Sequence, residues 1–186
     1  MRARKARVLA TILAGGACLV GQAWAEPVLI EDFADTKANW RFVTDGVMGG
    51  VSTGQAVIQQ DADGMFLCLT GQVSTENRGG FIQARRDLDA PLPGDATHLR
   101  LRVRGDGQTY FVHLRTRETR LPWQYYQAAF TSSAAWQDVE LSWDDFKPSG
   151  RTLPRKPDAD TVKSIALVAY GRDHRADVSV RLILAE

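Results

Sequence analysis

The sequence predicts an all-β fold, an antiparallel β-sandwich of the jelly-roll kind. Three observations carry that expectation. Leu99, Leu101 and Val103 alternate with Arg100, Arg102 and Arg104, the two-residue period of a strand with one dry and one wet face. Gly105-Asp106-Gly107 interrupts this run and Tyr110, Val112 and Leu114 resume it, as in a β-hairpin. Apolar runs punctuated by glycine or proline recur about ten times along the chain, at the close spacing of an all-β domain.

Taken in order, Val28–Phe33 and Trp40–Val43 open the domain, with a short helical turn expected over Asp35–Trp40. Gln55–Gln60 and Met65–Val73 flank Asp63-Gly64, a turn dipeptide that predicts a second hairpin. Phe81–Arg86, Leu99–Arg104, Tyr110–Leu114, Tyr125–Phe130 and Gln137–Trp143 read as the next strands. Lys147–Pro157 carries Pro148, Gly150, Pro154 and Pro157; proline lacks a ladder donor, so this piece is expected to be an exposed crossing loop. A helical turn over Asp158–Lys163 then leads into Ser164–Tyr170 and Val178–Leu184. Nothing divides residues 26–186, and one domain is expected there.

The 186 residues are 44% hydrophobic and 24% charged with a net charge of +1, values of a globular chain rather than a disordered one. Arg2, Arg4, Lys5 and Arg7 form a positive leader, Val8–Val20 is an apolar stretch too short to span a bilayer comfortably, and Ala23-Trp24-Ala25 has the small-x-small pattern of a signal-peptidase site. The expectation is a cleaved export signal and a periplasmic or secreted domain without a transmembrane segment. The alternatives are a retained anchor and a lipid on Cys18, although Gly15 stands where a lipobox has a large aliphatic residue. Without its leader the domain is mildly acidic, which excludes a global basic field for nucleic acid. It then holds Cys68 alone, so no internal disulfide can form, and the setting Leu67-Cys68-Leu69 predicts a buried core thiol.

Gly50-Val51-Ser52-Thr53-Gly54 fits the GxSxG string of a nucleophile elbow, but that device needs a strand entering and a helix leaving, and a strand follows here. Asp61-Ala62-Asp63-Gly64 resembles the start of a calcium loop, yet Met65, Phe66 and Gln72 occupy positions that need an oxygen ligand, a glycine and a glutamate. His98, His113 and His174 are scattered, so no metal site and no cofactor is predicted. Arg100, Arg102, Arg104, Arg115, Arg117 and Arg120 suggest a basic sheet face, solvated or turned to an anionic partner, with Trp123, Tyr125 and Tyr126 downstream as stacking or core residues.

Two glycine-rich segments stand out, Asp45–Ser52 and Glu76–Phe81. Glycine costs ordering entropy, so its repeated use calls for tight turns or close approach. The string Trp40-x4-Asp45-Gly46-Val47-Met48-Gly49-Gly50-x-Ser52, then Asn77-x-Gly79-Gly80-Phe81 with Arg85, resembles the complex I intermediate-associated protein 30 family. So do Gly105-Asp106-Gly107-x-x-Tyr110, Tyr126-Gln127-Ala128 with Phe130, and Trp136-x-x-Val139-x-Leu141. The resemblance runs from about Val28 to the C-terminus and implies a galactose-binding-domain-like jelly roll and a non-enzymatic assembly role. The residues it singles out for binding are Asp45, Met48, Gly49, Gly50, Ser52, Asn77, Arg78, Gly79, Gly80, Arg85 and Tyr126. Two readings stay open: a protein-interaction module working through the two loops, and a small-ligand module, most plausibly for carbohydrate, using Asp45, Asn77, Arg85 and nearby aromatics. Asp45 and Arg85 are further expected to form a charge-assisted pair that ties the loops together.

Overall fold

A computed structural model describes residues 26–35 and 39–186. Its strands are β1 (Val28–Glu31), β2 (Arg41–Thr44), β3 (Thr53–Asp61), β4 (Gly64–Val73), β5 (Phe81–Asp87), β6 (His98–Gly105), β7 (Thr109–Thr116), β8 (Tyr126–Thr131), β9 (Gln137–Ser142), β10 (Lys147–Pro148), β11 (Val162–Tyr170) and β12 (His174–Ala185). Two antiparallel sheets form the sandwich. Sheet A runs β3-β4-β12-β6-β9 with β1 added to the end of β12, and sheet B runs β10-β8-β7-β11-β5-β2.

The two-residue period sets what each sheet buries. Leu67, Leu69, Leu99, Leu101, Val103, Val178 and Val180 of sheet A share one core with Ile82, Ala84, Val112, Leu114, Tyr126, Ile165 and Leu167 of sheet B. Each such large side chain contributes about 1.5–3 kcal/mol when taken out of water. β11 lies centrally in sheet B; Ile165, Leu167 and Ala169 face the core, and Ala166 and Val168 lie on the outer face among longer side chains of the neighbouring strands, which is why Ile165 to Ala169 is continuously apolar and buried. Glu31 joins the two sheets: its buried carboxylate accepts from Arg86 (2.5 Å), from Trp40 Nε1 (2.8 Å) and from the Phe33 N–H (2.7 Å).

The jelly-roll expectation holds, with local differences. β12 begins at His174 rather than Val178, because Ala176 is the inward residue there and its small side chain leaves a weak apolar signal. The expected crossing loop contains the short edge strand β10, where Lys147 pairs with Gln127; an edge tolerates the adjacent proline. Ala159–Thr161 forms a 3-10 turn inside the predicted helical segment, and Asp45–Met48 and Glu76–Arg78 form two more inside the glycine-rich loops. The turn expected over Asp35–Trp40 and the leader up to residue 25 lie wholly or partly outside the described residues. Cys68 is a correction. Leu67 and Leu69 take the inward positions, so Cys68 stands half-buried on the outer face of sheet A, between Val57 and Ser179. Among the described residues no helix is long and apolar enough to cross a membrane.

Candidate functional site

The two glycine-rich loops meet at one end of the sandwich. Asp45, fully buried, takes four hydrogen bonds on its carboxylate: from the Ser52 N–H (3.0 Å), the Ser52 hydroxyl (2.5 Å), the Gly80 N–H (2.5 Å) and the Phe81 N–H (3.2 Å). Burial pushes this carboxyl up, but the bonds from Gly80, Ser52 and Phe81 outweigh it and hold the group below its ordinary range. The glycines are required by this approach. A Cβ at Gly50 would lie 2.4 Å from the Asp45 carboxyl carbon, and one at Gly79 would lie 2.5 Å from its Oδ2. Asp45 therefore does tie the loops together, but through backbone N–H groups. Arg85 is not its partner, because the side chain of Arg85 lies on the outward row of β5, opposite Ala166.

Ser52 is buried and accepts from the Ser74 N–H (2.9 Å) while bonding Asp45. Its GxSxG string opens β3, and its hydroxyl meets a carboxylate and main chain rather than a histidine. A third loop is fastened to the second: Asp173 Oδ1 accepts from the Thr75 N–H (2.6 Å) and hydroxyl (2.7 Å), and Gly171 N–H donates to the Gly80 carbonyl (2.8 Å). Asn77 and Arg78 are held exposed between these ties, both in left-handed backbone with φ of 53° and 62°.

What the first of these loops holds up to solvent is apolar. Val47 is 75% exposed and Met48 61%, with Gly49 and Val51 exposed beside them. Of the residues singled out from sequence, Asp45, Gly50, Ser52, Gly79 and Gly80 build the frame, whereas Met48, Gly49, Asn77 and Arg78 form its outer surface. Tyr126 belongs to neither group. It faces the core and is fully buried, since the outward position beside it goes to Gln127.

The apolar loop runs directly into β3, the nine-residue outer edge of sheet A, which pairs with β4 in unbroken register and shows its other side to solvent. Thr53–Gln60 contains no charge and no proline, and Val57 is exposed on it. The other edges are guarded in the usual ways. β9 carries Asp138 and Glu140, β2 is four residues long with Arg41, and β10 is two residues with Pro148.

Other motifs resolve into structural roles. Arg100 pairs with Glu186 (2.5 Å), Arg102 with Asp138 (3.3 Å) and Arg104 with Asp61 (3.9 Å), so this outer face of sheet A is neutralised within the chain. Arg115 lies on the other sheet and Arg117 pairs with Asp160, so the six arginines do not share one face. Asp61 and Asp63 form a hairpin tip that engages Arg181. In Gly105-Asp106-Gly107-x-x-Tyr110, the buried Tyr110 hydroxyl donates to Asp106 (3.0 Å) and accepts from the Asp177 N–H (2.8 Å). Among the described residues no group of three or more His, Cys, Asp or Glu side chains is placed to hold a metal ion.

The two-sheet sandwich with its loops gathered at one end defines a galactose-binding-like jelly-roll domain. Solved structures of that shape include the Family 11 carbohydrate-binding module from Clostridium thermocellum in complex with a β-1,3-1,4-mixed-linked tetrasaccharide. It shares 14% identity over 86% of this chain and 94% of its own, with a TM-score of 0.68. The Family 11 module of the cellulosomal cellulase Lic26A-Cel5E of the same organism gives 13% identity over 86% and 94%, TM-score 0.68. A Family 30 carbohydrate-binding module gives 12% identity over 87% and 88%, TM-score 0.59. The sequence model of the complex I intermediate-associated protein 30 family matches residues 31–181, and the chain belongs to that family. A search of curated proteins returned no match.

Proposed function

We propose that this chain is an exported, non-enzymatic binding module that docks a polypeptide partner along residues 47–57. The observation that carries the reading is the exposure of Val47, Met48, Val51 and Val57 on one continuous stretch, whose start is held by Asp45 and whose remainder is an unguarded strand edge. A loop held in this way loses little further entropy on binding, so the apolar contact converts more fully into affinity. The occupant that suits the edge is an extended segment of the partner. Its main chain would add a strand beside β3, and its apolar side chains would cover Met48 and Val57. The family to which the chain belongs is named for association with an assembly intermediate, and the leader sequence supports export.

The test is quantitative capture of partners by the tagged full chain in cells that export it. Val57→Lys guards the edge and Met48→Asp charges the loop; each is expected to leave the melting temperature unchanged and to remove the same captured polypeptide. Capture that both variants retain would refute the reading.

The small-ligand alternative belongs to a different surface. Asp45, Asn77 and Arg85 do not converge, since Asp45 is buried and Arg85 lies on the outer face of sheet B. That face carries an aromatic and arginine cluster of its own. A module of this fold is known in complex with a tetrasaccharide, which supports a sugar-binding reading here as the second choice.

A further inference from the structure

The outward face of sheet B is assembled from four strands by register. Arg85 on β5 stands opposite Ala166 on β11, Ala166 opposite His113 on β7, and His113 opposite Gln127 on β8. One step along, Asp87, Ser164 and Arg115 form the next row. The central positions are therefore small, and long side chains stand on both sides of them.

Arg85 and Arg115 differ from most of the arginines on the strands. Arg100, Arg102, Arg104 and Arg181 each have a carboxylate partner, and so do Arg41 and Arg86 in sheet B. Arg85 and Arg115 are half-buried, and among the described residues neither has one. Arg115 donates to the Leu121 carbonyl (2.8 Å), and the Nε of Arg85 is buried without a hydrogen-bond partner. Asp87, the acid in the same row as Arg115, is engaged by Arg41 at 2.5 Å. The two guanidinium groups lie close enough that, after burial, Arg85 is the chief influence lowering the pKa of Arg115. Asp87 offsets this in part but is shared with Arg41, so two partly desolvated like charges have no carboxylate of their own, and guanidinium forks match carboxylate geometry.

The surroundings of this pair suit a hydroxylated ring. Tyr125 stacks on His113 with ring centroids 4.1 Å apart and planes 9° apart, and Tyr170 meets His113 edge-on at 6.0 Å. The Gln127 side-chain Oε1 is 2.8 Å from His113 Nε2, and Gln83 supplies a second amide on the same face. Trp123, 66% exposed, sits in the loop fastened to Arg115 through Leu121 and offers an uncovered ring. Every strand that contributes is paired on both sides, which leaves no free edge there for a peptide main chain.

We propose that this face binds an acidic saccharide, with its carboxylate held by Arg85 and Arg115 and a sugar ring resting on Trp123 and the Tyr125–His113 stack. The inference rests on the small-ligand reading and narrows it to an anionic sugar; it is independent of the docking stretch at residues 47–57.

The test is calorimetric titration of the full chain with an oligogalacturonate, a neutral mixed-linkage β-glucan oligosaccharide, inorganic phosphate and an oligoglutamate. Saturable binding of the oligogalacturonate alone is expected, weakened by salt. Arg115→Gln is expected to weaken it at least about tenfold, the loss of one charge-assisted contact. Trp123→Ala, a substitution at an exposed position that keeps the fold measurable if an arginine variant does not, should weaken it too, whereas Met48→Asp should not. Binding of the neutral glucan equally well would overturn the acidic assignment while keeping the small-ligand reading. Equal binding of phosphate or oligoglutamate, binding that survives both Arg115→Gln and Trp123→Ala, or no binding to any probe would overturn the proposal.

Discussion

Replacing Asp45 by asparagine keeps the volume of the side chain and removes its charge, so it isolates what the carboxylate does. In the native loops that group serves the N–H of Gly80, the N–H of Phe81, and the N–H and hydroxyl of Ser52. An amide oxygen at the Oδ2 position keeps the Ser52 hydroxyl and the N–H groups of Gly80 and Phe81, and the Ser52 N–H at the Oδ1 position then faces the amide nitrogen. One buried donor left unpaired costs about 1–3 kcal/mol, so the substitution costs roughly 2 kcal/mol. For a domain of this size that lowers the melting temperature by about 4–8 °C. The assay is thermal and urea denaturation followed by tryptophan fluorescence. The pH dependence supplies a second signature. The folded carboxyl lies below its ordinary range, so its contribution is complete above about pH 4 and is lost as pH falls through the folded value. Asp45→Asn should accordingly flatten the acid side of the stability curve. A melting temperature within about 1 °C of the native chain would refute the latch, because leaving even one buried donor unpaired is not that cheap.

Further outcomes follow from the same geometry. Gly79→Ala places a methyl 2.5 Å from Asp45 Oδ2 and should destabilise by about 2 kcal/mol or more in the same denaturation assay, because four hydrogen bonds fix that carboxylate and the Glu76 carbonyl lies only 3.0 Å from the added methyl. His113 is held neutral by burial, with its pKa pushed down to about 4. The native chain should therefore lose up to about 3 kcal/mol between pH 6.5 and 4, and His113→Gln should lose correspondingly less over that interval. Tyr110→Phe removes the hydroxyl between Asp106 and the Asp177 N–H and should cost about 1–2 kcal/mol, with faster amide exchange at Asp177.

Much of the fold is legible in the sequence because strand alternation is local. Leu99, Leu101 and Val103 announce both their strand and its inward face, and Asp63-Gly64 marks a hairpin. The signal fails where inward residues are small, as at Ala176, or where a strand is only two residues long, as at Lys147–Pro148. At the loop end, the clustering of glycine around Asp45 shows that something approaches closely. It does not show what, because a carboxylate capped by main-chain N–H groups leaves no partner residue to recognise; Arg85 was the visible but wrong partner. The face of sheet B is harder still. Gln83, Arg85, His113, Arg115 and Tyr125 come together only through the pairing of β11 with both β5 and β7, a non-local register that no short motif encodes. The exposure of Val47 and Met48 is equally invisible in a string, since the same residues in a strand would be core.

The docking stretch is tested most directly by placing a photo-cross-linking amino acid at Met48, at Val57 and at Arg155, an exposed residue of the crossing loop outside that stretch. Cross-linking in cells that export the full chain, followed by mass spectrometry, should yield one shared polypeptide from Met48 and Val57 and none of it from Arg155. An identical set of adducts at all three positions, or adducts from Arg155 alone, would contradict the account.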